Sequence, residues 1–441
     1  MTLSAFLEAF FTALASQGVR FCVLRNYDGL PEVNVGSDID VLVERTDLAR
    51  ALKLLAAVRG LEFTDVARRP YVTSVFITGV ERTCIQLDLW TTLSWRGVNF
   101  IDAAQVLDRV HAHPRCEWIP IPDPVDEGVI SFATSFVIGG FIKGRYSEAF
   151  VPVFRDHGAL VEERLQDAIE PGLIRRLIQD VRTGQYESAL KSVGPVRASL
   201  FRRAVYRNPW VVASATMRHF ASEVSVHLSS SNLCTVAVFG PDGAGKSAVV
   251  DSVAVRLSGC TKVIETRHLR PQLRVRPMGK ELVGPVVDPH ARPAKSVFAS
   301  MLQLCVWIAA YWLDRLFRRK RNSTLRVYDR YFHDVLVDPR RYRYGGALWF
   351  ARLVSRLVPQ PDLVVILDAP PEVLRSRKQE VAEEETIRQR LAYLQMAHFF
   401  PNTMVVDASL PLDEVVDRVQ QGVIEFMVRR TMGVSRELSR P

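Results

Sequence analysis

Lysine is scarce in this chain: it supplies nine of fifty-seven basic residues, and arginine supplies the other forty-eight. Arginine's planar fork suits phosphate recognition, although a GC-rich coding sequence produces the same bias. The formal charge of +9 gathers in no Lys/Arg run interleaved with aromatics, which argues against a nucleic-acid interface. Cysteine is sparse and scattered, at positions 22, 84, 116, 234, 260 and 305 with no CxxC pair. That spread fits reduced thiols in a cytoplasmic protein better than a disulfide framework. The nine histidines cluster only in "HAH" (His111, His113), with no partner at metal-ligand spacing, so a loop is expected there and not a metal site.

Other absences narrow the class further. The opening "MTLSAFLEAFFTALASQGVR" lacks a basic start and a small-residue cleavage site, and its apolar positions recur at helical spacing. It reads as an amphipathic helix and not a signal peptide. There is no internal repeat and no low-complexity linker. One stretch, Ser296 to Leu313, is uncharged for eighteen residues, close to the length a bilayer requires. Ser296, Ser300 and Gln303 dilute it, so a buried helix is expected there and no transmembrane span. Peripheral association with a membrane stays open.

What is present is an ordinary globular composition, 48% apolar and 24% charged over 441 residues, enough for two or three domains. Residues 1–115 alternate strand and helix patterns, through "RFCVLRN", "DIDVLVE", "DLARALKLLAAVR", "YVTSVFIT" and "CIQLDLWTT". Residues 116–228 show few strand signals and several helix-length apolar patterns. Residues 229–441 again alternate strands with helices, as a parallel α/β sheet does. The expected fold class is therefore multidomain α/β: an α+β domain, a helical connector, then a parallel α/β domain.

The third region carries the strongest chemical signal. "FGPDGAGKSAVV" contains G-x-x-x-x-G-K-S complete, between a buried-type strand and a helix pattern. Gly240, Asp242, Gly243, Gly245, Lys246, Ser247 and Ala248 are its candidate nucleotide-binding residues. Glycines let successive backbone N–H groups turn inward, and the helix N-terminus adds a positive dipole end. Lys246 would neutralise the β- and γ-phosphates of ATP, and the Ser247 hydroxyl would hold Mg²⁺. Downstream, "LRVYDRYFHD" ends a short strand on Asp329, Arg330 and Tyr331, at the sheet edge where open α/β folds bind ligands. "PDLVVILDAPPEVLRSRKQE" ends a strand on Asp368 and continues into a helix with Arg375, Arg377 and Lys378. Those three cations suit either a solvated helix face or a lid over transferring phosphoryl groups.

Together with "RLAYL" and "VVDASLPLDEVVDRV", these stretches resemble the thymidylate kinase family of nucleoside monophosphate kinases over about 229–430. The resemblance implies that Asp329 works beside acceptor and metal, that Arg330 clamps acceptor phosphate, and that Arg375 and Arg377 steady the transferred group. It also implies a homodimer through the kinase domain. One departure stands out. Where that family has a "TREPGG"-like stretch at the acceptor pocket, this chain has "TRHLRPQLRVRPMGK" from Thr266. Thr266 and Arg267 persist, while Arg270, Arg274, Arg276 and Lys280 are added. With Arg267, Arg270 and Tyr331 as acceptor-binding candidates, the stretch reads either as a basic surface loop or as a site for a more anionic or bulkier acceptor. The segment "VDPRRYRYGG" brings three more arginines near the Asp-Arg pair.

In the first region, "GSDIDVLVE" sets Asp38 and Asp40 two apart on a strand, hence on one face. Asp88 lies mid-strand between Leu87 and Leu89, where an unpaired carboxylate is costly. Three converging carboxylates would hold a divalent metal. The region resembles the nucleotidyltransferase superfamily of the polymerase β type over about 18–95. It departs from it in having "LRN" (Leu24–Asn26) where that superfamily has a Gly-Ser pair; Gly36 and Ser37 abut the acids instead. The alternative is an acid-rich strand edge, or a domain that only recognises an acceptor.

The leading expectation is thus a cytoplasmic ATP-dependent phosphotransferase acting on a phosphorylated, sugar or glycan acceptor, with a nucleotidyltransferase-like domain in front. Chains resembling this fusion occur among bacterial polysaccharide-synthesis genes, which is an association and fixes no substrate. Alternatives are a nucleoside monophosphate kinase acting on thymidylate, and a non-catalytic ATP-binding scaffold.

Overall fold

Phe6, Leu7, Phe10, Phe11 and Leu14 recur at helical spacing, and all five are buried in α1 (Leu3–Ser16), where the Thr2 hydroxyl accepts from the Ala5 N–H as a cap. The amphipathic reading of the N-terminus holds in the computed structural model, which describes residues 1–34, 38–80, 83–142, 144–228, 233–269, 293–317, 323–378 and 382–439. The chain forms two compact units, Met1–Ser225 with Thr431–Pro441, and Val226–Arg430.

The first unit is built on a five-stranded sheet of β1 (Phe21–Val23), β2 (Asp38–Val43), β3 (Glu62–Arg68), β4 (Val72–Val80) and β5 (Thr83–Trp90), in the order β1-β2-β5-β4-β3. Only the central β2–β5 pair is parallel, with Asp40 opposite Asp88. Helix α2 (Leu48–Ala57) joins β2 to β3, and α1 shares a core with it through Phe10, Val41, Leu52 and Leu87. Two short hairpins follow, β6 (Leu93–Trp95) with β7 (Val98–Ile101), then β8 (His111–His113) with β9 (Cys116–Ile121), and α3 (Ala103–Asp108) lies between them. "HAH" is therefore a strand and not the expected loop. The helical remainder comprises α4 (Pro124–Phe132), α5 (Gly144–Asp156), α6 (Gly158–Leu165), α7 (Pro171–Arg182), α8 (Tyr186–Lys191), α9 (Val193–Arg207) and α10 (Pro209–Leu228). A stack of Phe132, Phe136, Phe150 and Phe154 anchors it. On α4 the buried Asp126 accepts from both Arg109 and Arg164.

The second unit is a parallel sheet with its first strand in the middle. Its strands are β10 (Leu233–Phe239), β11 (Val263–His268), β12 (Thr324–Asp329), β13 (Leu363–Asp368) and β14 (Thr403–Asp407), ordered β11-β12-β10-β13-β14. The near-continuous burial of β10, β12 and β13 is what a sheet covered on both faces requires. Around it run α11 (Lys246–Arg256), α12 (Val297–Phe317), α13 (Asp334–Val337), α14 (Leu348–Ser355), α15 (Pro371–Arg377), α16 (Glu383–Met396) and α17 (Leu412–Ser439).

Helix α12 departs from the buried helix its sequence suggested. Leu304, Trp307 and Tyr311 enter the core, but Phe298, Leu302, Val306, Trp312 and Leu313 stay exposed. Uniform hydropathy cannot say how much of a helix is covered. By length and composition it is the one described helix able to cross a membrane. Of the cysteines, Cys22, Cys116 and Cys305 are free thiols.

Candidate functional site

The loop after β10 takes the shape its glycines allow. Gly240 and Gly243 have φ of +151° and +86°. A Cβ on Gly240 would come 2.5 Å from the Leu367 carbonyl oxygen, and one on Gly243 2.4 Å from that of Leu374. A side chain at either position would push the loop off β13 and α15. Gly245 caps α11 in the left-handed region at φ +78°, so Lys246, Ser247 and Ala248 form the first turn, where helix amides have no intrahelical partner. Anions are stabilised at that end of a helix.

Parallel pairing brings the second component alongside. Val238 lies opposite Asp329, and His268 opposite Asp329 on its other flank. The Ser247 hydroxyl donates to Asp329 Oδ2 at 2.7 Å, and His268 Nδ1 lies 3.3 Å from the same oxygen. Asp329 Oδ1 is buried without a hydrogen-bond partner. Burial works to raise the pKa of this carboxyl, but hydrogen bonds from His268 and Ser247 and the charge of Lys246 hold it at about 2. A buried, ionised oxygen left over beside a serine hydroxyl is a donor set suited to a hard divalent cation. The loop and its companions therefore fit ATP with Mg²⁺.

Lys246 Nζ donates to the Gly240 and Pro241 carbonyls at 2.7 and 2.8 Å. Burial, and then the charge of Arg330, bring its pKa down to about 8. Asp242, in the loop itself, accepts from Arg330 Nη2 at 2.8 Å and from Arg341 Nη1, with Lys246 Nζ 3.9 Å away. Burial opposes its ionisation, but Lys246, Arg330 and Arg341 hold Asp242 well below the usual carboxylate range. Arg330 adopts φ +73° at the end of β12, a conformation that costs a non-glycine residue free energy and clusters at functional sites. Three cations converge on this one carboxylate, and Asp334, 4.0 Å from Arg330, faces the same guanidinium from the other side.

The remaining expected residues fall differently. Arg375 bridges Glu383 at 2.8 Å, and Arg377 donates to the Ala408 and Ser409 carbonyls; neither is bonded to the Lys246–Asp329 group. Arg267 donates to Glu265 at 3.0 Å, its Nε buried without a partner. Tyr331, expected at the acceptor, is a core residue: it packs on Tyr311 and Tyr328 and donates its hydroxyl to the Pro359 carbonyl at 2.7 Å. The left-handed turn at Arg330 is followed by a side chain that must point back into the protein. Arg270, Arg274, Arg276 and Lys280 lie outside the described residues. His268 was missed from sequence, although it is the next residue after Thr266-Arg267 on its strand. Of the three arginines expected near the Asp-Arg pair from "VDPRRYRYGG", Arg341 is the one that reaches Asp242.

In the first unit, Asp38, Asp40 and Asp88 do converge, each offering an oxygen within 4.8 Å of the others, a spacing one divalent ion could bridge. They are the only such group among the described residues. The chain's own donors compete for them. Asp40 accepts from Arg25 Nε on one oxygen and from Trp90 Nε1 at 2.7 Å on the other. Arg25 also donates to the Tyr146 hydroxyl at 2.9 Å. The Gln86 amide donates to both oxygens of Asp88 at 3.0 and 3.1 Å. Arg25 is thus a resident counter-ion, seated where a bound cation would draw on Asp40. Gly36 and Ser37 lie outside the described residues.

No protein-family profile matches the chain. The probable thymidylate kinase 1 of Saccharolobus solfataricus is 26% identical over 196 residues, 42% of this chain and 93% of that protein. The probable thymidylate kinase of Pyrobaculum aerophilum is 31% identical over 156 residues, 32% of this chain and 68% of its own length. Among solved structures, thymidylate kinase from Candida albicans covers 44% of this chain and 91% of itself at 17% identity, with a TM-score of 0.31. Deoxyadenosine kinase from M. mycoides with bound dATP covers 42% and 97% at 18% identity, with a TM-score of 0.28.

Proposed function

Over about a third of its length the chain belongs to the thymidylate kinase family, and from that premise we propose that it is an ATP-dependent phosphotransferase whose acceptor carries an anionic group. The convergence of Lys246, Ser247 and Asp329 at the carboxyl edge of the sheet carries the donor half. In-line phosphoryl transfer asks a protein mostly for positioning and charge. The glycine loop and the α11 N-terminus cradle the donor phosphates, and Lys246 turns from its own loop carbonyls to them. Mg²⁺ held by Ser247 and Asp329 would neutralise charge on the transferring group. Asp329, kept ionised, borders the acceptor.

The acceptor half rests on Asp242. This carboxylate holds Arg330 and Arg341 in place until an incoming anion takes over both guanidinium groups, each of which offers a bidentate fork. Arg341 comes from the arginine-bearing segment after the Asp-Arg pair, and this supports a more anionic or bulkier acceptor than thymidylate, such as a phosphorylated sugar or glycan. The polysaccharide setting rests on resemblance alone. The names of the relatives favour the second reading, a nucleoside monophosphate kinase. For the first unit we keep the nucleotidyltransferase-like reading, with any metal at Asp38, Asp40 and Asp88 sharing Asp40 with Arg25. The exposed apolar face of α12 supports a homodimer through the second unit, since contiguous patches of this kind mark interaction surfaces. A single monomeric boundary in sedimentation velocity would remove that part.

The experiment is a screen of thymidylate, other nucleoside monophosphates, sugar phosphates and glycans with labelled ATP. Transfer to a sugar phosphate or glycan, lost in Lys246→Ala, is expected. Rapid transfer to thymidylate would establish the second reading. ATP binding without ADP formation on any acceptor would leave a scaffold.

A further inference from the structure

The helices α9 and α10 of the first unit have a surface that the phosphotransferase reading does not use. Between Ser188 and Ser222 there is no Asp or Glu, while Lys191, Arg197, Arg202, Arg203, Arg207 and Arg218 contribute six positive charges. At the turn joining the helices, Tyr206 is 88% exposed, Trp210 84% and Val211 56%. Beyond the turn, exposed Met217, Phe220 and Val224 follow Trp210 at spacings of seven, three and four, which keeps them on one side of α10. Phe201 and Val205 of α9 face that side across a groove of about 660 Å³, lined almost wholly by apolar side chains.

We propose that this face is a docking surface for an anionic lipid bilayer. Three features select lipid over another protein. First, two aromatic residues with polar tips stand at the outermost point, the type that settles at headgroup level. Second, the apolar side chains form a continuous groove that hydrocarbon can enter, with Arg202, Arg203, Arg207 and Arg218 on the same two helices and Glu223 the one acid on α10, a pattern like that of helices that lie in the membrane interface. Third, cations outnumber acids on α9 and α10, a sign opposite to that of acidic headgroups, and each cation near a charged surface contributes about 1 kcal/mol to attraction. Part of that charge is shared within the unit: Arg202 bridges Glu170 at 3.1 Å and Arg207 bridges Asp167 at 2.5 Å, both at the surface. Arg218 is exposed and bridges no carboxylate among the described residues. Surface pairs of this kind are weak, and lipid phosphate can compete for them. The face would bring the chain to the membrane side on which lipid-linked or membrane-bound acceptors reside, while the phosphotransferase site keeps its own chemistry.

The test is flotation of the full chain with vesicles of phosphatidylcholine alone or with about 30% phosphatidylglycerol, at low and high salt. The wild type is expected to float with the acidic vesicles at low salt and to remain behind with neutral ones. Tyr206→Ala with Trp210→Ala removes two surface side chains, so folding, followed by circular dichroism and thermal unfolding, should be unchanged. Partition of that double variant is expected to fall at least about tenfold. Arg218→Gln, which removes one such charge, should lower it about fivefold. The proposal is overturned if the wild type ignores acidic vesicles, or if the double variant floats as well as the wild type. It is equally overturned if the same substitutions abolish a self-association or a protein complex that forms without lipid. Failure of the acceptor screen would leave this outcome untouched, because flotation reads no catalysis.

Discussion

Asp329 and Asp40 are both carboxylates on central strands, each buried and each beside an arginine-bearing turn, yet their oxygens are used in opposite ways. Asp329 keeps one buried oxygen without a partner and lends the other to Ser247 and His268. Asp40 has both oxygens claimed, by Arg25 and by Trp90. An orphaned buried oxygen costs stability and is retained where a ligand completes it. A carboxylate closed by a guanidinium and an indole is complete already. The first arrangement suits the cation and phosphates of the proposed phosphotransferase, whereas in the second Arg25 ties the unit together and any metal would have to share Asp40 with it.

Exchanging each acid for its amide should therefore separate the two, and here the largest effects are expected. Asp329→Asn should lower phosphoryl transfer about 10²- to 10³-fold, the usual cost of losing a charge-stabilising group at the reacting centre, with thermal stability unchanged or raised. Asp40→Asn should do the reverse. It leaves the largely buried Arg25 without its bonded counter-charge, while Asp38 stays nearby, a loss of about 2–4 kcal/mol on the scale of broken buried pairs. Turnover by the kinase unit should stay within about twofold. Urea unfolding and ATP turnover, measured on both variants, check the pair of outcomes. Equal stability loss in the two would erase the distinction.

A smaller effect sharpens the same contrast on the arginine side. Arg341 reaches Asp242 from outside the loop and is one of two guanidinium groups on it. Arg341→Gln should raise the acceptor KM about tenfold and leave the KM for ATP within about twofold, because it removes binding shared by ground and transition states. A fall in kcat with unchanged acceptor KM would place Arg341 with the donor instead.

The phosphate loop was legible because its chemistry is local: glycines, lysine and serine act through backbone shape within one turn, and the flanking strand and helix were visible in the same few residues. The strand-end position of Asp329 was legible for a similar reason. Periodicity also placed Asp38 and Asp40 on one face. What it could not supply was what faces them across the fold. Arg25 and Trp90 lie fifteen residues before and fifty after Asp40, and nothing in the spacing of any of the three marks the closure. The same holds for Arg341, ninety-nine residues from Asp242. Tyr331 and α12 failed in mirror image. A tyrosine beside the Asp-Arg pair looked functional and was core, while an apolar helix looked like core and is largely outside it. Composition sets what a side chain can do, and burial decides whether it is available to do it.

The smallest expected effect concerns Lys246, whose pKa is about 8 against an ordinary 10.5, through burial first and then the charge of Arg330. Between those two values the unfolded chain binds more protons at this group than the folded one. Its contribution to stability therefore improves as pH rises through the window, and its full cost is present below about pH 8. Donor phosphates favour the ammonium form and raise the pKa toward its ordinary value. ATP binding at about pH 9 should therefore take up a fraction of a proton, up to one, and at about pH 6.5 none from this group. Calorimetry in buffers of different ionisation enthalpy reads that number directly, and Lys246→Met should abolish the uptake at about pH 9. Arg25, kept charged by Asp40 against the cost of burial, releases nothing in this range, so the closed pair gives no background. No uptake at about pH 9 would mean that the loop lysine is already as solvated as a surface amine, and the contrast between an open and a closed site would lose its electrostatic half.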